Sequence, residues 1–263
     1  MSATEPKPEH EQRGIQSIEV GGQLLRALAH QGRPMALKDL AAAAGMAAAK
    51  AHPYLVSFGK IGLVEQDKAS GRYGLGPLAL QLGLMSLQQV DPVRMAAPLL
   101  DELAAATGHT LAIAVWGTAG PTIVWLAESP AAVHVNMRQG TVFSIGGTAS
   151  GRAFAAHLPE AQVRPFYDAE RRGDSLPPWP QFERGVLAEV RAQGLSRTEG
   201  GVVAGVSALA APVFDHRGSM VLAMVIIAPS AAIDVRWDGS IASQLRDAAA
   251  SISLRLGYRT APG

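Results

Sequence analysis

The sequence predicts two domains: an N-terminal, mainly α-helical winged helix-turn-helix and a C-terminal α+β domain built on an antiparallel sheet. Three observations carry this. A length of 263 residues suits two modest cores better than one. The first third runs helix, short helix, glycine turn, helix, hairpin, the order of a winged helix-turn-helix. The remainder pairs strands through short turns and places helices between them, the pattern of an α+β sheet.

In the first third, residues 15–29 form a predicted helix with Ile18, Leu24, Leu25 and Leu28 at roughly helical spacing. Gly21 and Gly22 weaken it, at about 1 kcal/mol each against alanine. Gly32-Arg33-Pro34 breaks the chain. Residues 37–44 follow as a short helix with Leu37, Leu40, Ala41 and Ala44 on one stripe, ended by Gly45 in the usual C-terminal place for glycine. A third helix, 49–60, is expected to bury Leu55, Phe58 and Ile61. Residues 63–66 and 72–75 read as two short strands joined by the turn 67–71. Residues 75–89 form an apolar helical connector, and Asp91-Pro92 opens a new helix, with Asp as cap and Pro at its first position. That helix ends at Thr107-Gly108.

Beyond it, 110–116, 122–128 and 133–137 are strand-like, and 146–158 is a glycine-rich loop running into a helix. Residues 175–180, with three prolines, form a surface loop, and 184–193 a helix. Residues 209–215 and 220–228 make a hairpin around His216-Arg217-Gly218, and 241–256 closes the chain as a helix. The domain plan is a disordered tail at 1–13, the winged helix-turn-helix at 14–76, a linker helix at 77–90 and an effector-binding domain at 91–260.

Composition narrows the function. Hydrophobic residues make up 48% and charged residues 17% of the chain, so it folds rather than remaining disordered. With no cysteine, neither a disulfide framework nor a thiolate metal site is available. The first 13 residues are polar and lack the apolar run of a signal peptide, and 220–228 is too short to span a bilayer. The expected location is the cytoplasm, with no membrane partner. The net charge of +1 divides unevenly: residues 11–90 hold eight Lys/Arg against five Asp/Glu, whereas 91–263 are nearly balanced. A basic front on a neutral back fits a nucleic-acid module joined to a ligand or dimer module, though a solvated basic face gives the same count.

Enzyme signatures are incomplete. Gly146 and Gly151 have P-loop spacing, but Arg152 and Ala153 stand where Lys and Ser/Thr are required. Ser150-Gly151 lacks the preceding glycine of a nucleophile elbow, because Thr148 stands there. The seven histidines form no HxxxH or HExxH pair, and His109 and His157 read as structural. No enzyme activity, metal or cofactor is expected.

Several segments, in their order and spacing, resemble the IclR-type transcriptional regulators. They are Leu37-Lys38-Asp39-Leu40-Ala41, Gly45-Met46, Lys50-Ala51-His52, Gly62-Leu63-Val64-Glu65-Gln66-Asp67, and Gly71-Arg72-Tyr73-Gly74-Leu75-Gly76 with Leu78. Farther on come Gly146-Gly147-Thr148-Ala149-Ser150-Gly151-Arg152-Ala153, Ala210-Ala211-Pro212-Val213-Phe214-Asp215, Ser251-Ile252-Ser253 and Leu256-Gly257-Tyr258. The resemblance runs from Ser17 to Tyr258. It implies a GAF-like effector domain, homodimers or homotetramers, a double-stranded DNA operator, and control of catabolic genes by a small acidic or aromatic metabolite. Two departures stand out. Pro53 falls where such regulators usually carry a basic residue, which places it in the first turn of the third helix if that helix begins near Lys50 or Ala51. Ala208, Val225 and Ile227 occupy positions often polar or cysteine in relatives, which implies a more apolar pocket.

The DNA-contact candidates are Lys50, His52, Tyr54, Ser57 and Lys60 on the third helix, Lys38 on the second and Arg72 on the wing. Lys50, Tyr54 and Ser57, at spacings of four and three, are expected to share a face; the bland reading is a solvated helix with Tyr54 half-buried. For the effector, a glycine-rich helix start with free N–H groups can hold a carboxylate. Gly147, Thr148, Ala149 and Ser150 are the candidates there, and the resemblance places this loop at the ligand. Trp116, Trp125 and Met137 are candidate apolar walls, although buried aromatics are more often plain core. Glu199, Ser207 and Ala208 belong to a second segment that resembles the family's pocket. Two other readings stay open at this stage: a ligand-binding dimer whose degenerate helix-turn-helix has lost DNA, favoured by Pro53, and an enzyme acting on organic acids, which has no catalytic constellation to support it.

Overall fold

The computed structural model describes residues 14–128, 137–171, 176–200 and 204–259, and the chain divides into two compact units between Gln89 and Val90. The tail at 1–13 and most of the strand expected at 133–137 lie outside the described residues.

The first unit holds α1 (Gln16–Gln31), α2 (Leu37–Ala43), α3 (Ala48–Lys60), β1 (Val64–Gln66), β2 (Tyr73–Leu75) and α4 (Pro77–Gln89). Leu24, Leu28, Leu40, Ala41, Ala51, Leu55, Val64 and Tyr73 form its core. The α2–α3 turn depends on Gly45, whose φ of 67° is a left-handed conformation that costs a residue with a Cβ; Met46 N–H then closes the turn on the Ala41 carbonyl. Strands β1 and β2 pair antiparallel, Glu65 opposite Gly74, and Met35 forms a bridge to Tyr73.

Two expected core residues lie outside this core. Ile18 is 68% exposed, because six residues from Leu24 is two-thirds of a revolution past a whole turn; Gly21, at i−3, continues the Leu24–Leu28 stripe instead. Ile61 is 56% exposed, because it caps α3 rather than belonging to it. Pro53 also differs from expectation. α3 begins at Ala48, so Pro53 is its sixth residue and lies beyond the first turn. The run Ala47-Ala48-Ala49 extends the helix backwards, alanine being the best helix former. Pro53 then removes the amide that would bond to the Ala49 carbonyl, yet the helix continues to Lys60.

The second unit holds α5 (Pro92–Thr107), β3 (Thr110–Gly117), β4 (Gly120–Ala127), α6 (Ala149–His157), α7 (Glu160–Glu170) and α8 (Trp179–Phe182). One π-helical turn at Glu183–Leu187 leads into α9 (Ala188–Gln193), so the single α-helix expected there is interrupted. β5 (Ser196–Thr198), β6 (Val206–Phe214), β7 (Met220–Pro229) and α10 (Ser240–Arg255) complete it. The Asp91 carboxylate caps α5 by accepting from the amides of Val93 and Arg94. The sheet order is β4-β3-β7-β6-β5, every neighbouring pair antiparallel. Residues 140–143 run along the outer edge of β4, with Ile123 N–H donating to the Thr141 carbonyl and Phe143 N–H to that of Pro121.

Both faces of this sheet are covered. On one, Leu111, Ile113, Leu209, Leu222, Met224 and Ile226 meet Leu100 of α5 and Leu245 and Ile252 of α10. On the other, Ala112, Ala114, Ala208, Ala210 and Ala223 form a low floor under Ala149, Ala153 and Phe154 of α6. Burial on both faces explains why β6 and β7 read as unbroken apolar runs rather than as alternating strands. Behind α6, Ile145, Val163, Tyr167, Trp179, Phe182 and Leu187 form a helical subcore, with Tyr167 stacked on Phe182 at 4.5 Å between centroids.

Two measurements test this packing. A Cβ on Gly21 would stand 2.9 Å from the rings of Tyr54 and Phe58, whereas one on Gly22 meets nothing within 4 Å. Gly22→Ala should therefore stabilise the first unit by about 0.5–1 kcal/mol, and Gly21→Ala should destabilise it by about 1–3 kcal/mol, read from urea midpoints. The second concerns His157, the last residue of α6, whose ring meets Phe214 edge-on at 5.0 Å and whose buried Nε2 lacks a partner among the described residues. Burial first, then the charge of Arg191, draws its pKa down to about 4 from 6.5. Above pH 6.5 the ring is neutral folded or unfolded. Between 6.5 and 4 only the unfolded chain gains the proton, so stability falls on acidification, by on the order of 3 kcal/mol in all. His157→Phe should lose this component in pH-dependent denaturation; equal pH slopes in variant and wild type would refute it.

Candidate DNA-contacting helix and effector face

On α3 the buried side is set by Ala51 and Leu55, with Tyr54 and Phe58 turned partly inward against α1. Lys50, His52, Ser57 and Lys60 are exposed, as are Lys38 on α2 and Arg72 beside β2. The face expected to join Lys50, Tyr54 and Ser57 is therefore divided. Tyr54 follows Lys50 by 40° more than a full turn, which is enough to rotate it towards Gly21 of α1. Ser57 is exposed, but its hydroxyl donates to the Pro53 carbonyl at 3.0 Å, so its proton is already committed. The wing tip is preformed. The Asp67 carboxylate accepts from the Ser70 hydroxyl and from the amides of Ala69 and Ser70, which together hold its pKa below the usual carboxylate range. Gln66 Nε2 donates to the Gly71 carbonyl across the turn, and Arg72 Nη1 lies 3.4 Å from the Pro34 carbonyl oxygen, its side chain exposed.

The effector candidates do not converge on one place. Trp116, Met137, Ala149 and Ala208 gather on the α6 face of the sheet, together with Val225 and Ile227. The Trp116 ring meets Phe154 and Phe166 edge-on at 5.8 and 5.4 Å. Thr148 and buried Ser150 stand at the start of α6, 3.3 Å apart through their hydroxyls. Trp125 departs from this group. A bulge in the β3–β4 pairing at Ile113/Ala114 turns it to the opposite face, where its indole N–H approaches Asp101 of α5 at 3.5 Å. Ser207 also faces away from its neighbour Ala208. With Glu199 it borders a cavity of about 360 Å³ that includes Ser230, Asp234 and Arg236. Glu199 is paired to Arg197 at 3.4 Å, and Ser207 to Ser230 at 2.8 Å. The residues 201–203 that would continue this segment lie outside the described residues.

The glycine-rich loop before α6 does hold a carboxylate, but it is the protein's own. Glu170, at the end of α7, accepts from the amides of Ile145 and Gly146 and from the Ser144 hydroxyl. Gly147 N–H donates to the Ser144 hydroxyl and Gly151 N–H to that of Thr148, the N-cap. The amides of Ile145, Gly146, Gly147 and Gly151 are thus engaged within the protein, Gly147 alone of the four expected positions among them. Gly151 is required sterically, since a Cβ there would fall 2.0 Å from the Ser144 carbonyl oxygen. On the other side, Arg152 donates to the carbonyls of Gly146 and of Arg197 on β5, strapping the loop to the edge strand. Glu170 and Arg152 were invisible as a pair in the sequence: the partners of Glu170 lie 24–26 residues away and those of Arg152 lie 6 and 45 residues away, and no local spacing marks them.

Residues 17–68 match the profile of the IclR helix-turn-helix domain, and residues 84–254 that of the bacterial transcriptional regulator IclR C-terminal domain. The chain belongs to the IclR family of transcriptional regulators. It is 34% identical over 251 residues to the glycerol operon regulatory protein of Streptomyces griseus, across 93% of this chain and 98% of that one. The protein of the same name from Streptomyces coelicolor is 31% identical over the same shares. The fold is similar to that of crystalline HmgR from Pseudomonas aeruginosa, with a TM-score of 0.88 and 35% identity over 93% of this chain and 99% of that one. This IclR-family protein is accordingly a ligand-responsive, DNA-binding regulator and not an enzyme. The helix-turn-helix match includes Pro53, and no described helix is long and apolar enough to cross a membrane.

Proposed function

We propose that this regulator acts in the cytoplasm as a symmetric homo-oligomer on a palindromic operator, with the winged helix-turn-helix at 14–76, a linker helix at 77–90 and the effector domain at 91–260. The observation that carries the reading is α3, which presents Lys50 and Lys60 outward from a helix-turn-helix core, beside a wing whose tip is already shaped. Lysines at the two ends of an exposed helix suit the phosphates on either side of a major groove, and Arg72 and Lys38 extend the same basic surface. The effector is a small organic acid or aromatic metabolite. Its place is the α6 face, where Trp116 and Met137 give apolar walls beside Ala149 and Ala208, and the Ser150 hydroxyl lies at the start of α6 beside Thr148, whose own hydroxyl donates to the Ser144 carbonyl.

Selection of bound sequences from a random duplex pool tests the DNA half. The wild type should return a palindromic consensus. Lys50→Ala and Arg72→Ala should each bind every sequence more weakly, with the salt slope lowered by about one per lost phosphate contact; unchanged affinity and slope would remove those residues from the interface. Thermal shift and operator release with aromatic acids, aliphatic acids and glycerol test the effector half, glycerol because the Streptomyces relatives are named for a glycerol operon.

The linker helix α4 supports oligomerisation. It has no charged residue and no buried one, and Leu80, Leu82, Leu84, Met85 and Leu87 are 45–66% exposed. A helix that exposes this many large apolar side chains is stabilised in water by a surface that covers them. We assign that cover to α4 of a second copy, because a palindromic site needs two reading heads related by a two-fold axis. Replacing Leu82 and Leu87 by Lys should shift the sedimenting species towards the single chain and weaken operator binding. An undiminished oligomer would place the interface elsewhere.

A further inference from the structure

The face that α3 turns away from its core is apolar at its centre. Ala49, Pro53 and Val56 follow one another at spacings of four and three, so they form one stripe, and all are exposed, Val56 by 44%. Lys60 continues the stripe one turn on, and Lys50 and His52 flank it. The helix sequence AAKAHPYLVSFGK contains no Arg, Asn, Gln, Asp or Glu. The side chains that bind guanine or adenine bidentately, apart from lysine, and those that accept from cytosine are therefore missing. Ser57 has committed its proton to Pro53, and Tyr54 is turned against α1. The lysine ammonium groups, compact and strongly hydrated, suit phosphates.

Thymine alone among the bases places a methyl group in the major groove. We propose that α3 reads its operator chiefly through thymine C5-methyl groups, packed against Ala49, Pro53 and Val56. The inference rests on the reading that α3 enters the major groove. Proline at position 53 then has a direct role: its ring adds flat apolar surface to the stripe. The flanking lysines hold the helix in the groove while the stripe selects thymine-rich steps.

The test uses the full-length protein and the operator returned by pool selection. Each half-site thymine is replaced in turn by deoxyuridine, which removes the methyl and keeps O4 and the base pairing. We expect at least two positions per half-site at which binding weakens by about fourfold, the usual worth of one buried methyl group, with the salt slope unchanged. In Val56→Ser, an exposed substitution, the uracil penalty should vanish at one of those positions. An operator that is bound tightly but insensitive to uracil throughout, or a consensus with no half-site thymine, overturns methyl readout and leaves DNA binding intact. Penalties that all persist in Val56→Ser overturn the assignment to this stripe. A pool that yields no enriched sequence overturns groove entry itself, and this inference with it.

Discussion

The second unit depends on one constraint: its central strands are apolar on both faces, and a five-stranded sheet of that kind must be covered twice. Helices α5 and α10 cover the first face, Leu100, Leu245 and Ile252 among their alanines meeting the large side chains of the strands. The other face is floored with alanine, which brings α6 close and brings the loop before it onto the sheet as well. Gly151 is where the fit is tightest, backbone against backbone with no room for a methyl group. The candidate effector loop is therefore held in position by the same packing that closes the core.

Polar groups complete what packing begins. A loop pressed onto an apolar surface must satisfy its amides and carbonyls from somewhere. Glu170 supplies acceptors from the end of α7, and Arg152 supplies donors from inside α6 and reaches through to β5. These contacts join three segments distant in sequence into one polar strut. Any displacement of the α6 start is in this way linked to α7 and to the edge strand.

Local features were legible in the sequence, and non-local ones were not. The helices of the first unit follow from apolar stripes and from glycines such as Gly45 and Gly32, which take left-handed conformations at helix ends. The cap at Asp91 and the hairpin of β6 and β7 were equally local. The spacing of Lys50, Tyr54 and Ser57 failed as a guide because α1 lies on only one flank of α3, and 40° decides between core and solvent. Trp125 could not be assigned a face because a bulge in the β3–β4 pairing interrupts the two-residue alternation. The start of α3 was misplaced because Pro53 was read as a signal of the first turn, whereas the alanines ahead of it were strong enough to begin the helix earlier. Glu170 stayed hidden because an acidic residue near a helix end carries no mark of the loop it will fold onto.

The wing tip carries a consequence of a different kind. Its turn is fixed by the Asp67 carboxylate, the Gly71 carbonyl and Gln66 before any partner arrives. A loop that had to settle on contact would lose conformational entropy at that moment, at roughly 1 kcal/mol for each side chain immobilised. Here most of that loss has already been taken during folding. Only the Arg72 side chain and its neighbours remain to be ordered, so more of the attraction between the wing and a polyanion is left as net affinity.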